Sequence, residues 1–261
     1  MKQEITSSPR ELARTRSVWH KLGTEDPLWA VATCKGQRGN RWQMEEFLAT
    51  GERDIALYRG LLARHTSAPA RFTSVLDFGC GVGRLSRLWL RHADRVVGVD
   101  ISAPMLEQAR KIVGDDPKMT FLLNETCDLA SCGSAQFDLV FSHICLQHMP
   151  WSLASDYLRE FVRVCQPRGW VVFQLPAREL MTIPGLCARM RRCLVDRLPF
   201  GLGATWRKWR HGTSVIFDMF YTPPQDVRAT AAAAGLAFCH AEPSQAAGDN
   251  TEGFIYIFRK G

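Results

Sequence analysis

From Ser74 onward, short apolar runs alternate with longer amphipathic ones. The runs Ser74–Phe78, Arg95–Asp100, Met119–Asn124, Phe137–Ser142 and Gly169–Leu175 are rich in Val, Leu, Ile and Phe, the pattern of buried strands. Between them, Val82–Arg91 sets Leu85, Leu88 and Trp89 on one side of a predicted helix. Ser102 is placed to cap a second helix that carries Met105, Leu106, Ala109, Ile112 and Val113 at helical spacing. A third stripe, from Leu153 through Tyr157, Phe161 and Cys165, begins after Pro150 and ends before Pro167. The crossover Glu125–Gln136 is too short and polar for a helix. Such alternation implies a mostly parallel sheet with helices on both faces.

The two ends read differently. Residues 1–70 show no strand pattern but carry helical ones, such as Trp42–Leu48 and Asp54–Leu62, and form a predicted helical cap. After Pro223 and Pro224, a helix runs through Ala231–Ala234 and stops at Gly235. The runs Leu236–His240 and Gly253–Arg259 follow, joined by a polar loop containing Gly248, Asp249 and Asn250. So short a connection pairs them antiparallel, which makes the expected fold an α/β domain with a mixed seven-stranded sheet. Residues 71–261 form that domain, with 177–222 as a basic helical insertion.

Composition alters this picture in three places. The N-terminus MKQEITSSPR has no apolar segment after its lysine, so it is not read as a signal peptide, and no run reaches the ~18 apolar residues of a membrane span. Nine cysteines, scattered without a CxxC pair or a Cys/His cluster, suit free thiols in a reducing cytoplasm and do not suggest a metal. The chain's net charge is +7, and residues 178–211 hold eight basic side chains against two acidic ones, a local +6 that would meet any anionic partner.

The chemistry centres on Val75–Leu85, VLDFGCGVGRL. A dinucleotide site needs GxGxxG and a pyrophosphate on a helix N-terminus. Here Gly79, Gly81 and Gly83 are spaced GxGxG, and Asp77 stands two residues ahead of them, where it would repel a phosphate. It suits a ligand with a cation beside the loop, such as the α-ammonium of S-adenosylmethionine. The next strand ends at Asp100, 21 residues after Gly79, where a carboxylate can accept from both hydroxyls of an adenosine ribose.

With GVDIS, FDLVFSHICLQHMP and LREFVRVCQPRGWVVFQLP, this loop resembles the class I S-adenosylmethionine-dependent methyltransferases over roughly residues 71–176. The resemblance implies a Rossmann-like sheet whose last strand is reversed. It implies that Gly79, Cys80 and Gly81 wrap the methionine part and that Asp77 reaches the ammonium through water. Asp100 would hold the ribose, Met105 would lie against the adenine and Asn124 near its edge, with Ile101 and Ser142 also in the cofactor-binding set. The family's usual Pro-Gly-Gly before the fifth strand is Pro167-Arg168-Gly169 here.

Methyl transfer needs alignment of the acceptor with the methyl group, exclusion of water and, for a hydroxyl or protonated amine, a base. His143 and His148 in SHICLQH are the candidates, with a loop-tying role as the alternative for His148. The fourth strand lacks the Asn/Asp-Pro-Pro-Tyr/Phe of base-methylating enzymes. A glutamate pair of the protein-arginine type and an Asp cluster of the catechol type are also missing. The elimination leaves a small organic acceptor and no metal. The basic segment 178–211 is read as a lid that attracts an anionic group, with a packed surface helix, a peripheral membrane contact and a carrier-protein contact as alternatives. An RNA-binding methyltransferase or accessory subunit is the second functional reading, though no stacking platform accompanies the arginines. An NAD(P)-dependent oxidoreductase is the third.

Overall fold

The structure, a computed structural model, describes residues 9–180 and 217–261. The apolar and basic faces expected between Ile183 and Arg210, and with them most of the 177–222 insertion, lie outside the described residues. The N-terminal part forms helices α1 (Pro9–Glu25), α2 (Pro27–Val31) and α3 (Met44–His65). Then come β1 (Phe72–Phe78), the short α4 (Ser86–Trp89), β2 (Ala93–Asp100), α5 (Ala103–Val113) and β3 (Met119–Leu123). The chain continues through β4 (Phe137–Ser142), a 3-10 turn (Leu146–His148), α6 (Trp151–Val164) and β5 (Cys165–Glu179). Helix α7 (Pro224–Ala233) leads into β6 (Leu236–Ser244) and β7 (Thr251–Lys260).

The strands form a seven-stranded sheet in the order β3-β2-β1-β4-β5-β7-β6. β1 pairs parallel with β2 and β4, β2 with β3, and β4 with β5. β7 runs antiparallel to both β5 and β6, as expected from the loop that joins the last two strands. Both faces of the central strands are buried, so neighbouring residues feed opposite cores. Leu76, Val97, Val140 and Val171 pack with Leu153, Tyr157 and Phe161 of α6 and with Val227 of α7. Val75, Val96, Leu139 and Val172 pack with Ile55, Tyr58 and Leu61 of α3 and with Leu88 and Trp89 of α4. Most of these side chains are fully sealed from solvent, and apolar burial of this kind contributes roughly 25 cal/mol per Å².

Several elements differ from the sequence pattern for local reasons. The expected helix Val82–Arg91 contracts to Ser86–Trp89, because Gly81 and Gly83 take left-handed φ angles of 53° and 74° that a right-handed helix excludes. The two helical patterns near Trp42 and Asp54 are mostly one helix, α3, which packs on the sheet as one of its layer helices. α1 and α2 are what reach over the sheet edge. There Leu22 and Ala30 form a third cluster with Phe47, Val82 and Met105. Strand β5 outruns Gly169–Leu175 because β7 pairs with it as far as Glu179. The 125–136 crossover has no helix. It is tied to α6, where Glu160 accepts the Leu129 N–H and Arg163 donates to the carbonyls of Leu129 and Cys132.

Candidate active site

Parallel strands deliver their C-terminal ends to one edge, and β1, β2 and β4 bring Asp77, Asp100 and His143 there. A cavity of about 930 Å³, open solvent at its mouth included, lies at this edge. Its floor is the glycine loop with Asp77 and Asp100, and its roof includes Leu12, Thr15 and Trp19 of α1 and Ala30 and Val31 of α2. Gly79 has φ 74° and faces Cys145, so an added Cβ would sit 2.2 Å from the cysteine sulfur. At Gly81, with φ 53°, a Cβ would sit 2.6 Å from Val31 Cγ2. Both positions need glycine for backbone conformation and for the close approach of Cys145 and Val31.

The two acids sit differently. Asp77 is 2% exposed and accepts a 2.5 Å hydrogen bond from the Ser86 hydroxyl. Burial pushes its carboxyl up to about 6 against the help of Ser86 and Arg84. Asp100 is half-buried; Oδ2 accepts the Gly81 N–H at 2.8 Å and Oδ1 the Ser102 N–H at 2.9 Å. Burial raises it to about 6 as well, opposed by the backbone N–H groups of Ser102, Gly81 and Ile101. Each carboxylate oxygen has two lone pairs, so these bonds orient Asp100 without exhausting it.

Of the remaining positions singled out from the sequence, Cys80, Ile101, Met105 and Asn124 line the cavity. Met105 also belongs to the third core cluster, so wall and core are one role. Asn124 is buried, donates to the Thr126 carbonyl and the Tyr157 hydroxyl, and accepts from Thr126 Oγ1. Ser142 is placed elsewhere: it lies outside the lining, buried, with its hydroxyl donating to the Phe78 carbonyl across β1 and β4.

The two histidines separate. His143 lines the cavity, with Nδ1 2.8 Å from the Tyr58 hydroxyl and Nε2 3.5 Å from Asp54 Oδ2. Burial holds its imidazole down to about 4, so the ring is neutral near pH 7. The hydrogen bond to Tyr58 runs through Nδ1, and the approach of Nε2 to Asp54 is an electrostatic contact. His148 does not line this cavity. The 3-10 turn directs it toward Trp19 and Phe217, whose ring centroids each lie 5.0 Å from its own. Its Nδ1 donates to the Asp218 carbonyl at 2.9 Å, and Nε2 faces the Gln147 amide nitrogen at 3.2 Å. Burial lowers it to about 4 too, so it ties the segment after Phe217 to the β4 loop as a neutral ring.

Residues far apart in the chain complete the site, and the sequence pattern carried no signal for them. Arg84 is 3% exposed; its Nη1 donates to Asp54 at 2.6 Å and to Thr50 Oγ1 at 3.0 Å. A second cavity, of about 720 Å³ with the open solvent at its mouth, adjoins the first along Arg84, His143 and Ile144 and is walled by Gln147, His148, Phe217 and Met219. One group among the described residues brings metal-ligating atoms together: His65, His240 and Glu242. They lie at the edge strand, and the rings of His65 and His240 stack face to face at 3.6 Å, so their nitrogen lone pairs run parallel and do not converge on one point. Among the described residues, no helix is long and apolar enough to cross a membrane.

Comparison with known proteins places this geometry. Residues 75–169 match a family model described as a methyltransferase domain. The malonyl-[acyl-carrier protein] O-methyltransferase of Enterobacter lignolyticus is 34% identical over 145 residues, 55% of this chain and 52% of that protein. The trans-aconitate 2-methyltransferase of an Azoarcus species is 32% identical over 138 residues, 52% of this chain and 51% of that protein. The chain thus spans about half the length of the curated relatives it matches. The crystal structure of magnesium protoporphyrin IX methyltransferase from Synechocystis with bound S-adenosylhomocysteine superposes with a TM-score of 0.63 at 17% identity, covering 95% of this chain and 99% of that one. N-methyltransferase NodS from Bradyrhizobium japonicum, in complex with the same ligand, gives 0.60 at 15% identity over 94% and 98%.

Proposed function

Because this chain belongs to the class I S-adenosylmethionine-dependent methyltransferases, we propose that it methylates a small organic acceptor in the cavity above its glycine loop. The observation that carries the reading is the pair of carboxylates, Asp77 buried and Asp100 half-buried, beside a loop whose Gly79 and Gly81 leave no room for a Cβ against Cys145 and Val31 in the same cavity. That donor set fits the cofactor: a carboxylate for an ammonium, a second for vicinal hydroxyls, and Ile101 and Met105 as apolar wall for a base. When bound, S-adenosylmethionine supplies a methyl group on a sulfonium leaving group. The chain's residues then hold, orient and exclude water. Gly79, Cys80 and Gly81 form the cradle, Asp77 neutralises the ammonium, Asp100 holds the ribose, and Asn124 marks the far wall. The α1–α2 roof, with Trp19 and Val31, keeps water out, which strengthens every electrostatic contact beneath it. His143, hydrogen-bonded to Tyr58 and 3.5 Å from Asp54, positions both beside the cavity, and His148 positions the segment after Phe217.

Calorimetric titration tests the assignment. Near pH 7.5, S-adenosylhomocysteine is expected to bind and NADH to give no heat; the opposite result would return the site to an oxidoreductase. The two acids also set the pH dependence. Both are raised above the ordinary carboxylate value, so the folded protein holds more protons than the unfolded chain between about pH 4 and 6. Their contribution to ligand-free stability is therefore full below about 4 and lost as pH rises through about 6. A cationic ligand needs the ionised forms, so affinity runs the other way, roughly ten- to hundredfold weaker near pH 5 than near 7.5. An affinity unchanged across that range would remove the acids from the ligand.

A second reading concerns delivery of the acceptor: the local +6 of residues 178–211 favours an anionic carrier protein that presents it covalently. Turnover of a carrier-borne acyl acceptor should then fall steeply with added salt, while turnover of the free acid should not. Equal salt dependence would discard the carrier.

A further inference from the structure

We propose that the second cavity is the acceptor's chamber, that the acceptor is an uncharged hydroxyl compound, and that Asp54 takes the hydroxyl's proton. The inference rests on the methyltransferase reading and names the substrate class and a further catalytic residue of that same site. Position carries the first step. The two cavities share Arg84, His143 and Ile144 as a common wall, together with Ala30 and Val31 of α2. Asp54, on α3, lines the second cavity and meets the two polar members of that wall. Its Oδ2 accepts from Arg84 Nη1 at 2.6 Å and stands 3.5 Å from His143 Nε2. An acceptor lying in the second cavity with its reacting oxygen at the shared wall therefore has the cofactor's cavity on one side and this carboxylate on the other.

Exposure carries the second step. The Arg84 side chain is 3% exposed and the Asp54 side chain 29%. A ligand in the chamber meets the carboxylate, while the guanidinium behind it offsets most of the charge. Among the described residues, the contacts to Asp54 fall on Oδ2, so the lone pairs of Oδ1 remain for a ligand. An anion would face a carboxylate first, and a cation would find that carboxylate already paired. A hydroxyl gains a charge-assisted hydrogen bond and brings no charge of its own. Ile144, Phe217 and Met219 supply apolar wall for its body. The carboxylate is also held still. Thr50 Oγ1 accepts from the same Arg84 Nη1 at 3.0 Å, and a Cβ at Gly51 of α3 would lie 3.1 Å from Arg84 Cγ. Such fixed placement is what an in-line transfer needs. The acceptor oxygen forms the new C–O bond as the S–CH3 bond breaks, the electron pair stays on sulfur, and the hydroxyl proton passes to Asp54. The hydroxyl turns strongly acidic as its oxygen bonds to carbon, so a carboxylate suffices as the base. The products are a neutral methyl ether and S-adenosylhomocysteine, and Asp54 returns its proton to water at the open mouth of the cavity.

The test uses the full chain saturated with S-adenosylhomocysteine and three probes of one shape: para-nitrophenol, para-nitroanisole and para-nitrobenzoate. Below the pH at which nitrophenol ionises, calorimetry is expected to show it binding about tenfold or more tighter than its methyl ether, and tighter than the benzoate. At the pH where free nitrophenol is half ionised, binding should move its absorption to that of the neutral species, because a carboxylate beside the oxygen disfavours the phenolate. Asp54→Asn leaves the Arg84 charge unpaired and should reverse the shift, so that the bound probe is the phenolate. A purely structural Asp54 would leave that spectrum unmoved. S-adenosylhomocysteine affinity should stay within about threefold of wild type, since Asp54 is not part of the cofactor cavity's lining. If that variant does not fold, Asp54→Asn combined with Arg84→Gln removes both charges together, and nitrophenol and its ether should then bind alike. A phenol binding no tighter than its ether, a benzoate binding tighter than the phenol, a bound phenolate in the wild type, or a neutral bound phenol in Asp54→Asn would overturn the inference. Failure of the wild type to bind S-adenosylhomocysteine at all would instead strike the methyltransferase reading beneath it.

Discussion

Asp100→Asn is expected to weaken S-adenosylhomocysteine binding by roughly a hundredfold, with little change in the melting temperature of the ligand-free protein. The substitution keeps the shape and removes the charge. A hydroxyl donating to a carboxylate gains about 1.5–3 kcal/mol over a neutral pairing left unmet, and the ribose presents two such hydroxyls. The remaining oxygen of asparagine can satisfy only one of the Gly81 and Ser102 N–H groups that Asp100 now accepts, so part of the loss comes through a looser glycine loop. Stability should hardly suffer, because burial already penalises the ionised carboxyl and holds it at about 6. Calorimetry gives the affinity and scanning fluorimetry the melting point. A variant that binds as tightly as wild type would take the ribose away from Asp100.

Gly79→Ala should be the most damaging glycine-to-alanine change among the described residues, costing about 2–5 kcal/mol of stability and abolishing measurable binding. Gly79 holds φ 74°, which costs an L-residue roughly 1–2 kcal/mol. The new Cβ would also meet Cys145 Sγ at 2.2 Å and its Cβ at 2.5 Å. The loop cannot retreat from that contact, because the N–H groups of Gly79 and Cys80 are both fastened to the Val99 carbonyl. Overpacking of this kind costs about 1–3 kcal/mol. Denaturant unfolding separates the parts: adding Cys145→Gly should return the steric portion and leave the dihedral portion in place. Wild-type stability in the single variant would show that the loop and the β4 extension do not meet as described.

Much of this site was legible along the chain because its signals are short-range. Asp77 and Asp100 end adjacent parallel strands, so strand periodicity alone puts both at one sheet edge beside the glycines. The antiparallel last pair followed from a loop too short for any other connection. Helix α4 was overestimated because an apolar stripe looks the same whether or not Gly81 and Gly83 adopt left-handed φ angles ahead of it.

The histidines mark where sequence reading ends. His143 and His148, five residues apart, look like one catalytic pair, yet a 3-10 turn sends one to Tyr58 and Asp54 and the other to Trp19 and Phe217. Tyr58 lies 85 positions from His143 in the chain, and Arg84 meets Asp54 across 30. No periodicity or spacing rule reaches across such distances. Likewise, His65 and His240 stack although nothing between them in the sequence suggests it.

The sequence by itself therefore determined the sheet, the glycine cradle and the two acids that face it, since these depend on local pattern and on the short reach of parallel crossovers. The tertiary structure decided what each polar group can do there. Whether an imidazole carries a proton, has a lone pair to offer or is spent on a neighbour depends on burial and on atoms brought in from α1, α2 and α3.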